Sequence, residues 1–338
     1  MKLLSSTLRR FAVWDILLVA LLIAILVLGS LQSPYFLNAT SFSLIFSNFS
    51  EKSIMVLAMM LIIIVGEIDL SVASVLGLSS AILGFLFAAG WPLWPAMLVA
   101  LASGGLAGLV NGLLVTRVGL PSLVVTLGTL ALFRGAAYVV LGDRGISNYP
   151  DAFTQFGYGS IPGTLIPWTF LVFAVLAVVV AVVLHGTWVG RQLFAIGNNQ
   201  DAARFAGIPV ARIKLLLFVV SGLVAALAGI IFTARFSSSR ADNAVGFELD
   251  VITVVLLGGV NIFGGRGSLL GVLLALCTVG ALRSALGLAD YPDQVQSIIV
   301  GLLLIVSTLG PNLVRRVQDA LSRRRVAPEQ AVLQRSTP

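Results

Sequence analysis

The residues with the clearest chemical potential are two carboxylates, Glu67 and Asp69, which lie two positions apart inside apolar sequence. An apolar run over 54–65 precedes them, and a second run over 72–89 follows them. An acidic side chain at the centre of a membrane helix costs about 2.5–3.5 kcal/mol on insertion scales. Ionisable groups at interrupted helices often line the pathway of a transporter. We therefore predict that Glu67 and Asp69 lie on a translocation pathway or at a gate.

The elements that must position these carboxylates are the two flanking apolar runs. The first run is too short to cross a bilayer alone, since a span needs about 20 residues. We therefore predict one helix interrupted at Gly66, whose freed backbone groups and carboxylates face protein or water rather than lipid. The alternative is a cytoplasmic turn between two short spans, with Glu67 and Asp69 in that turn.

Polar side chains in the neighbouring apolar sequence complete the predicted pathway or gate. Asn111 forms either a hydrogen bond between helices or a contact in the pathway. A buried carboxylate needs a cation or hydrogen-bond donors. Arg134 and Arg283, which fall within predicted spans, are therefore the candidate structural partners of Glu67 and Asp69. The helix that carries Asn111 also has glycines at four-residue spacing, which predict close helix packing: Gly104, Gly108 and Gly112.

The composition is that of an integral membrane protein, with 58% hydrophobic residues, 10% charged residues and a mean hydropathy of +1.05. We predict an all-α protein embedded in the lipid bilayer with about ten transmembrane helices. The net charge of +7 does not indicate a nucleic-acid partner, because the basic residues flank the apolar spans. The predicted spans are 12–33, 51–66, 71–90, 93–115, 120–141, 165–185, 213–234, 249–262, 268–288 and 295–313.

The distribution of lysine and arginine predicts the orientation of these spans. Most of these residues fall in the segments that lie on the same side as the two termini. Cytoplasmic loops of membrane proteins carry an excess of Lys and Arg. We therefore expect both termini in the cytoplasm.

A weak internal similarity predicts an inverted repeat. Asp69 lies eight residues before Gly77, and Asp250 lies eight residues before Gly258, with mostly apolar residues between them. The two segments belong to spans that are expected to run in opposite directions. Matching segments of opposite direction are typical of transporters with inverted repeats, and here helices 2–5 would match helices 7–10 of the ten predicted spans.

The sequence lacks the residues that most enzyme and metal sites need. None of its three lysines follows a glycine-rich phosphate loop, and a single His185 and a single Cys277 cannot form a His/Cys metal site. We expect no catalytic residues, no metal site and no cofactor. Energy for active transport would come from a partner chain or from an ion gradient.

The loop 186–212 contains a short helix with both ends marked. Asn198 or Asn199 can cap its N-terminus, Asp201 complements the helix dipole, and Gly207 suits a left-handed C-cap. Such a helix either docks into a groove of another protein or packs only on its own bundle. The residues expected to make the contact are Asn199, Asp201, Ala202, Ala203, Phe205 and Gly207.

This loop and several other segments resemble a known family. Asp201-Ala202-Ala203, followed by Gly207 after three further residues, is similar to the Glu-Ala-Ala…Gly coupling signature of ABC importer permeases, with Asp201 in place of the Glu. Nearly the whole chain resembles permeases of the ribose/xylose/rhamnose (monosaccharide) type. Within that type, 66–74 and 141–143 are most similar to rhamnose permeases, and 237–242 resembles autoinducer-2 permeases. The segments that carry the wider resemblance are 66–71, 125–129, 190–199, 257–259 and 264–268.

The resemblance implies a permease subunit that moves a monosaccharide, rhamnose being favoured, across the bacterial inner membrane. Separate cytoplasmic ATPase chains would bind the helix at 198–207, and a periplasmic sugar-binding protein would deliver the substrate. A second permease chain, identical or related, would complete the pathway. The chain would then consist of a permease domain over 1–314, with the coupling loop 186–212, and a basic, disordered cytoplasmic tail over 315–338.

Two other functions are compatible with the sequence. An ion-coupled secondary sugar transporter would use Glu67 and Asp69 as its proton or sodium site. A passive channel would allow uptake without accumulation. The capped cytoplasmic helix argues against the ion-coupled transporter, which has no need of a docking element. If the helix does dock an ATPase, a charge introduced by Ala203→Arg is expected to prevent docking while leaving the fold intact.

Overall fold

The computed structural model describes residues 2–305, with side chains from Trp14 onward except those at 39 and 42. Within this range the regular structure is helical throughout. Short π-helical turns extend α4 over Leu114–Val118 and α7 over Val182–Gly186. The helices are α1 (Lys2–Gln32), α2 (Ala39–Ile64), α3 (Val72–Ala88), α4 (Leu93–Leu113), α5 (Ser122–Leu141), α6 (Asp151–Tyr158), α7 (Trp168–Ala181), α8 (Trp188–Asn198), α9 (Gln200–Phe205), α10 (Val210–Phe236), α11 (Phe247–Leu257), α12 (Leu269–Leu288) and α13 (Asp293–Ile305).

The described part of the chain contains seven segments that are long and apolar enough to cross a membrane, which confirms an all-α integral membrane protein. Two further apolar helices, α3 and α13, are shorter. The predicted span 249–262 is wrong in length, because α11 ends after 11 residues and a glycine-rich turn follows. The seven segments are Trp14–Gln32, Ser43–Ile64, Leu93–Val118, Ser122–Leu141, Trp168–Gly186, Val210–Phe236 and Leu269–Leu288.

Residues up to Tyr291 form one packed unit, and α13 belongs to a second unit that begins at Pro292. The predicted boundary between a domain over 1–314 and a basic tail over 315–338 lies outside the described residues. The predicted span 295–313 also extends beyond them.

Helix α2 is the most buried of the long helices, and the side chains of 54–64 are covered on every side. A helix that is apolar all round belongs in the core of a bundle. The prediction that the run before Gly66 is too short to span is wrong, since α2 begins at Ala39 and extends for 26 residues. Its N-terminal half carries Glu51 and Lys52, which interrupt the apolar pattern of the sequence.

A close helix contact joins α4 to α10. A Cβ atom added at Gly108 would lie 2.2 Å from the carbonyl oxygen of Phe218, and one at Gly222 would lie 2.1 Å from that of Gly104. Only glycine permits this approach, because any side chain would collide with the opposite backbone. The predicted packing role of the glycines at four-residue spacing is confirmed.

Helices α3 and α11 run in opposite directions, as the proposed repeat requires. Helix α11 runs in the direction of α2, because Asp250 near its start bonds Lys52, and the turn that follows it reaches Ile64 at the end of α2. Helix α3 returns along the bundle from the end of α2, so that Gly84 packs against Ser239. The matching of helices 2–5 to helices 7–10 stays a prediction.

Candidate functional site

The connection between α2 and α3, residues 65–71, is a turn after which α3 runs back along the bundle. The prediction of one helix interrupted at Gly66 is therefore wrong, and the alternative, a turn between two helices that carries Glu67 and Asp69, is observed. Helix α2 ends in a double turn in which the Gly66 N–H bonds Ile63 and the Glu67 N–H bonds Ile62, at 2.9 and 3.1 Å. Gly66 has φ +81°, a left-handed conformation that glycine adopts without steric cost. The start of α5 holds the connection in place, because the Ser122 hydroxyl accepts from the Ile68 N–H at 3.2 Å.

Glu67 forms a buried ion pair with Lys214, which lies in the first turns of α10. The side chains of Glu67 and Lys214 are 13% and 7% exposed. The same ammonium group donates to the Gln200 side chain at 2.8 Å, and Gln200 is the first residue of α9. The predicted pairing of Glu67 with Arg134 or Arg283 is therefore wrong. Lys214 joins the connection 65–71 to the coupling loop.

Asp69 is almost completely buried and is held by hydroxyl groups. Its carboxylate accepts from the Ser71 N–H and hydroxyl at 3.0 and 2.7 Å, and from the Ser221 hydroxyl at 2.9 Å. No lysine or arginine among the described side chains forms an ion pair with it. Burial raises the pKa of the Asp69 carboxyl above its ordinary value of 3.8, and the hydrogen bonds from Ser71 and Ser221 offset part of that rise.

Asn111 of α4 joins the Asp69 group, because its amide donates to the Ser71 hydroxyl at 2.8 Å. Its own Oδ1 is buried with no partner among the described atoms. The predicted hydrogen bond between helices is therefore present. An unpartnered buried acceptor also leaves Asn111 able to bind a further donor.

Arg134 does not pair with either predicted carboxylate. Its guanidinium donates to the carbonyls of Ala241, Asn243 and Ala73 at 2.6, 2.8 and 3.2 Å. It therefore ties the segment after α10 to the first turn of α3. Arg283 instead bonds Asp250 at 2.6 Å, and Asp250 also bonds Lys52 at 2.5 Å.

The coupling loop has the capped helix that the sequence predicted. The Asn199 side chain accepts from the Ala202 N–H at 2.9 Å, which caps α9. At the other end Gly207 has φ +81°, and its N–H bonds Arg204 while the Ile208 N–H bonds Ala203. This double turn is the left-handed termination that glycine favours.

One residue of the predicted contact set does not lie on the exposed side of α9. Asp201, Ala202, Phe205 and Gly207 are exposed, and Phe205 is 92% exposed. Ala203 is only 4% exposed, so its side chain packs inside the chain. The expectation that Ala203→Arg would leave the fold intact is therefore wrong. We call the exposed part of α9, formed by Ala202, Phe205 and Ala206, the α9 face.

A polar cavity of about 300 Å³ lies beneath α9. Its walls include Glu67, Gln200 and Lys214, together with Pro121 before α5 and Thr116 in the π-helical turn after α4. The cavity therefore opens beside the ion pair that links the coupling loop to the connection 65–71. The structure brings Gly66, Glu67, Asp69 and Asn111 to this end of the bundle, whereas Arg134 faces the segment after α10.

Comparison with known proteins identifies the family of the chain. Residues 41–308 match a family model described as "Branched-chain amino acid transport system / permease component". The chain belongs to this permease family. No solved structure matches it.

The curated relatives of the chain include permeases from several bacteria. The "Autoinducer 2 import system permease protein LsrD" of Yersinia enterocolitica is 36% identical over 311 residues, which cover 90% of this chain and 93% of that protein. The protein of the same name from Klebsiella pneumoniae is 37% identical over 306 residues, covering 89% and 92%. The one from Photorhabdus laumondii is 35% identical over 306 residues, covering 89% and 91%.

Family membership confirms the resemblance on which the functional prediction depended. The chain is a multi-pass membrane protein and a permease component of an ABC importer for a sugar-type substrate. The family implies an ATPase and a substrate-binding protein as partners. The expected preference for rhamnose has no support here, because these relatives are named for autoinducer 2.

Three residues that complete the site were not predicted from the sequence: Gln200, Lys214 and Ser221. Lys214 lies 147 positions from Glu67, and Ser221 lies 152 positions from Asp69. No local pattern connects residues so distant in sequence. The one available signal was that Lys214 is one of only three lysines in the chain.

Proposed function

We propose that this chain is the transmembrane subunit of an ABC importer that carries autoinducer 2 or a closely similar sugar-type molecule into the cytoplasm. The observation that supports this most strongly is the 36% identity over 90% of the chain to a permease named for autoinducer 2. Rhamnose is the second substrate to test, because 66–74 and 141–143 resemble rhamnose permeases. A second permease chain, identical or related, would complete the pathway.

In this proposal the ATPase binds the α9 face. The side chain of Phe205 is almost fully exposed, and an exposed aromatic side chain on a short, firmly capped helix is suited to an apolar groove of a partner. Asp201 and Arg204 flank it with charges of both signs, 3.6 Å apart. ATP hydrolysis takes place in the partner, so this chain needs no catalytic residue of its own.

Movement of α9 would reach the pathway through the Lys214 ammonium group. Gln200 at the start of α9 and Glu67 in the connection 65–71 both bond that group. Two residues further along, Asp69 holds the start of α3 against α4 and α10. A rigid-body shift of α9 would therefore act on the connection where α3 begins, which is a common mode of switching in large assemblies.

The proposed orientation places α9 and both termini in the cytoplasm of the bacterium, with the chain in the inner membrane. The distribution of lysine and arginine supports this orientation. The segments around 143–164 and 235–248 would then face the periplasm, where a substrate-binding protein can reach them.

The test is transport in proteoliposomes that contain the chain with its ATPase, its companion permease if there is one, and its binding protein. We expect uptake of labelled autoinducer 2 that requires hydrolysable ATP and does not respond to a protonophore. Uptake of rhamnose under the same conditions ranks the two substrates. The matched control replaces ATP with a non-hydrolysable analogue.

The same measurement separates the ion-coupled and passive alternatives. If a protonophore abolishes uptake while ATP is held constant, transport is ion-coupled, Glu67 and Asp69 are the ion site to test next, and the proposal is wrong. Uptake that equilibrates without accumulation would instead identify a passive channel.

A further inference from the structure

A second aromatic side chain is exposed on the part of the molecule that carries α9. Phe263 is 84% exposed, against 92% for Phe205. Both lie outside the seven segments that are long and apolar enough to cross a membrane. They are the two most exposed aromatic side chains of the described residues, and aromatic side chains are enriched at protein interfaces.

The backbone does hold Phe263 in place. It lies in the turn 261–266, which is closed by a bond from the Asn261 N–H to the Arg266 carbonyl at 2.9 Å and one from the Gly264 N–H to the Asn261 carbonyl at 2.8 Å. The Asn261 side chain also accepts from the Phe263 N–H at 3.2 Å. Because the turn has this many internal bonds, the exposure of Phe263 is a fixed feature of the turn.

The same turn is attached to the end of α2. The Gly265 N–H donates to the Ile64 carbonyl at 2.8 Å. Gly264 has φ +84°, and a Cβ atom there would lie 2.8 Å from the backbone nitrogen of Gly66. The turn and the connection 65–71 are therefore packed backbone against backbone.

The turn is attached to the coupling loop as well. The Asn198 amide donates to the Gly265 carbonyl at 3.3 Å, and Asn198 immediately precedes the residue that caps α9. A Cβ atom at Gly265 would lie 2.7 Å from the Asn198 side-chain oxygen. The turn that carries Phe263 is therefore bonded to the residue that precedes the cap of α9.

We propose that Phe263 is a second docking point for the ATPase subunit, which would receive Phe263 and Phe205 in neighbouring apolar pockets. This inference rests on the proposed function, since it assigns a further contact to the partner that binds the α9 face. The ATPase is the expected occupant because the turn is bonded to Asn198, just before the cap of α9, and because Arg266, which is exposed in the same turn, supplies a cation that suits an acidic rim. Buried aromatic and arginine side chains carry most of the binding energy at protein interfaces.

The test measures the Kd of the purified ATPase for the permease in nanodiscs. Phe263→Ala is expected to weaken binding about tenfold or more, which corresponds to about 1.4 kcal/mol. Phe205→Ala is expected to do the same. The matched control is Tyr158→Ala, an exposed aromatic side chain on α6 in the segment 143–164, and it is expected to leave Kd within about twofold.

The outcomes separate this inference from the function on which it rests. If Phe205→Ala weakens binding and Phe263→Ala does not, the second docking point is wrong and the proposed function stands. If neither variant changes Kd, the second docking point and the assignment of the α9 face to the ATPase are both wrong, whereas the proposed transport is still decided by the uptake assay.

A cross-link keeps the inference testable if Phe263→Ala does not fold. Cys277 is the only cysteine of the chain, so Cys277→Ala gives a cysteine-free background. In that background Phe263→Cys is expected to cross-link to the ATPase through a short reagent that has a maleimide at one end and an amine-reactive ester at the other, which joins the new thiol to a lysine amine of the ATPase. Tyr158→Cys is not expected to cross-link. Equal cross-linking at the two positions, or none at Phe263→Cys while Phe205→Cys reacts, would overturn the proposal.

Discussion

The ion pair between Glu67 and Lys214 illustrates that a charged side chain buried away from water requires a partner of opposite charge. Each side chain is largely buried, and each supplies the opposite charge that the other needs. Gln200 takes a further donor of the ammonium group at 2.8 Å. Removal of one partner leaves an uncompensated buried charge, which costs much more than the pair itself contributes.

Lys214→Met is therefore predicted to destabilise the protein by about 3–5 kcal/mol and to abolish uptake. The double variant Glu67→Gln with Lys214→Met removes both charges and is expected to recover most of the lost stability. Thermal melting in detergent measures the stability, and proteoliposome uptake measures the function.

The control for this prediction is an exposed ion pair. Arg240 bonds Asp242 at 2.9 Å in solvent, so Arg240→Gln is expected to leave the melting temperature unchanged. Wild-type stability in Lys214→Met would show that Glu67 has another partner. Full stability without uptake in the double variant would support the role of the pair in coupling.

Asp69 is predicted to act through its hydrogen bonds and not as an ion carrier. Asp69→Asn keeps an acceptor for Ser71 and offers an amide to Ser221, so uptake and stability should stay near those of the wild type. Asp69→Ala leaves buried donors unsatisfied, at about 1–3 kcal/mol for each group. If Asp69→Asn retained its stability but lost all uptake, Asp69 would instead carry an ion, as the alternative function requires.

The pH dependence of stability follows from the raised pKa of Asp69. The fold favours the protonated carboxyl, so this contribution is fully present below the unfolded pKa of 3.8 and is lost as pH rises through the higher folded pKa. Asp69→Asn has no such group and should show a flatter profile. Melting temperatures from about pH 4 to pH 8 compare the two proteins. Parallel profiles of melting temperature against pH for the two proteins would contradict the raised pKa of Asp69.

At the scale of helices, the contact between α4 and α10 sets the distance between two spans. Gly108→Ala would place a methyl group 2.2 Å from the Phe218 carbonyl oxygen, so the helices must separate. Overpacking of this kind costs about 1–3 kcal/mol. Gly128→Ala is the matched control, because no atom lies within 4 Å of its added Cβ. We expect a lower melting temperature for Gly108→Ala alone, and equal melting temperatures would show that the two helices adjust freely.

The elements that the sequence predicted well depend on local chemistry. Asn199 and Gly207 lie next to the backbone groups that they satisfy, so the bounds of α9 follow from residue types alone. Helix α2 was predicted too short because the contacts that stabilise its charged residues are distant in the sequence. Glu51 and Lys52 break its apolar pattern, and their partners, Arg235 and Asp250, lie 184 and 198 positions away.

The same contrast between local and distant contacts applies to the candidate site. The sequence shows the end of the apolar run at Gly66, because a glycine and two carboxylates follow that run. The partners of Glu67 and Asp69 are not visible, since tertiary packing of α10 brings Lys214 and Ser221 to them. Ala203 matches the family signature but packs inward, because a helix of six residues needs one face against the bundle.

At the scale of the whole molecule, the two ends of the bundle have different chemistry. One end carries the connection 65–71, the α9 face and the turn 261–266, where two phenylalanines are exposed. The other end carries a folded segment after α10, in which Ser239 bonds Tyr149 at 2.7 Å and Arg134 holds the carbonyls of Ala241 and Asn243. Burial raises the pKa of Tyr149 to about 12, so it stays a neutral hydrogen-bonding group at ordinary pH.

The orientation of these two ends gives the last prediction. In the Cys277→Ala background, a cysteine at Phe205 is expected to react with a membrane-impermeant maleimide only when the cytoplasmic face is open, as in inside-out vesicles. A cysteine at Arg240 should react from the periplasmic side, since its side chain is more than half exposed at the other end of α10. The physical reason is the excess of lysine and arginine on the side of α9, which cytoplasmic loops retain. The reverse labelling pattern would place α9 on the periplasmic side, where no cytoplasmic ATPase can bind it. The proposed function would then be wrong.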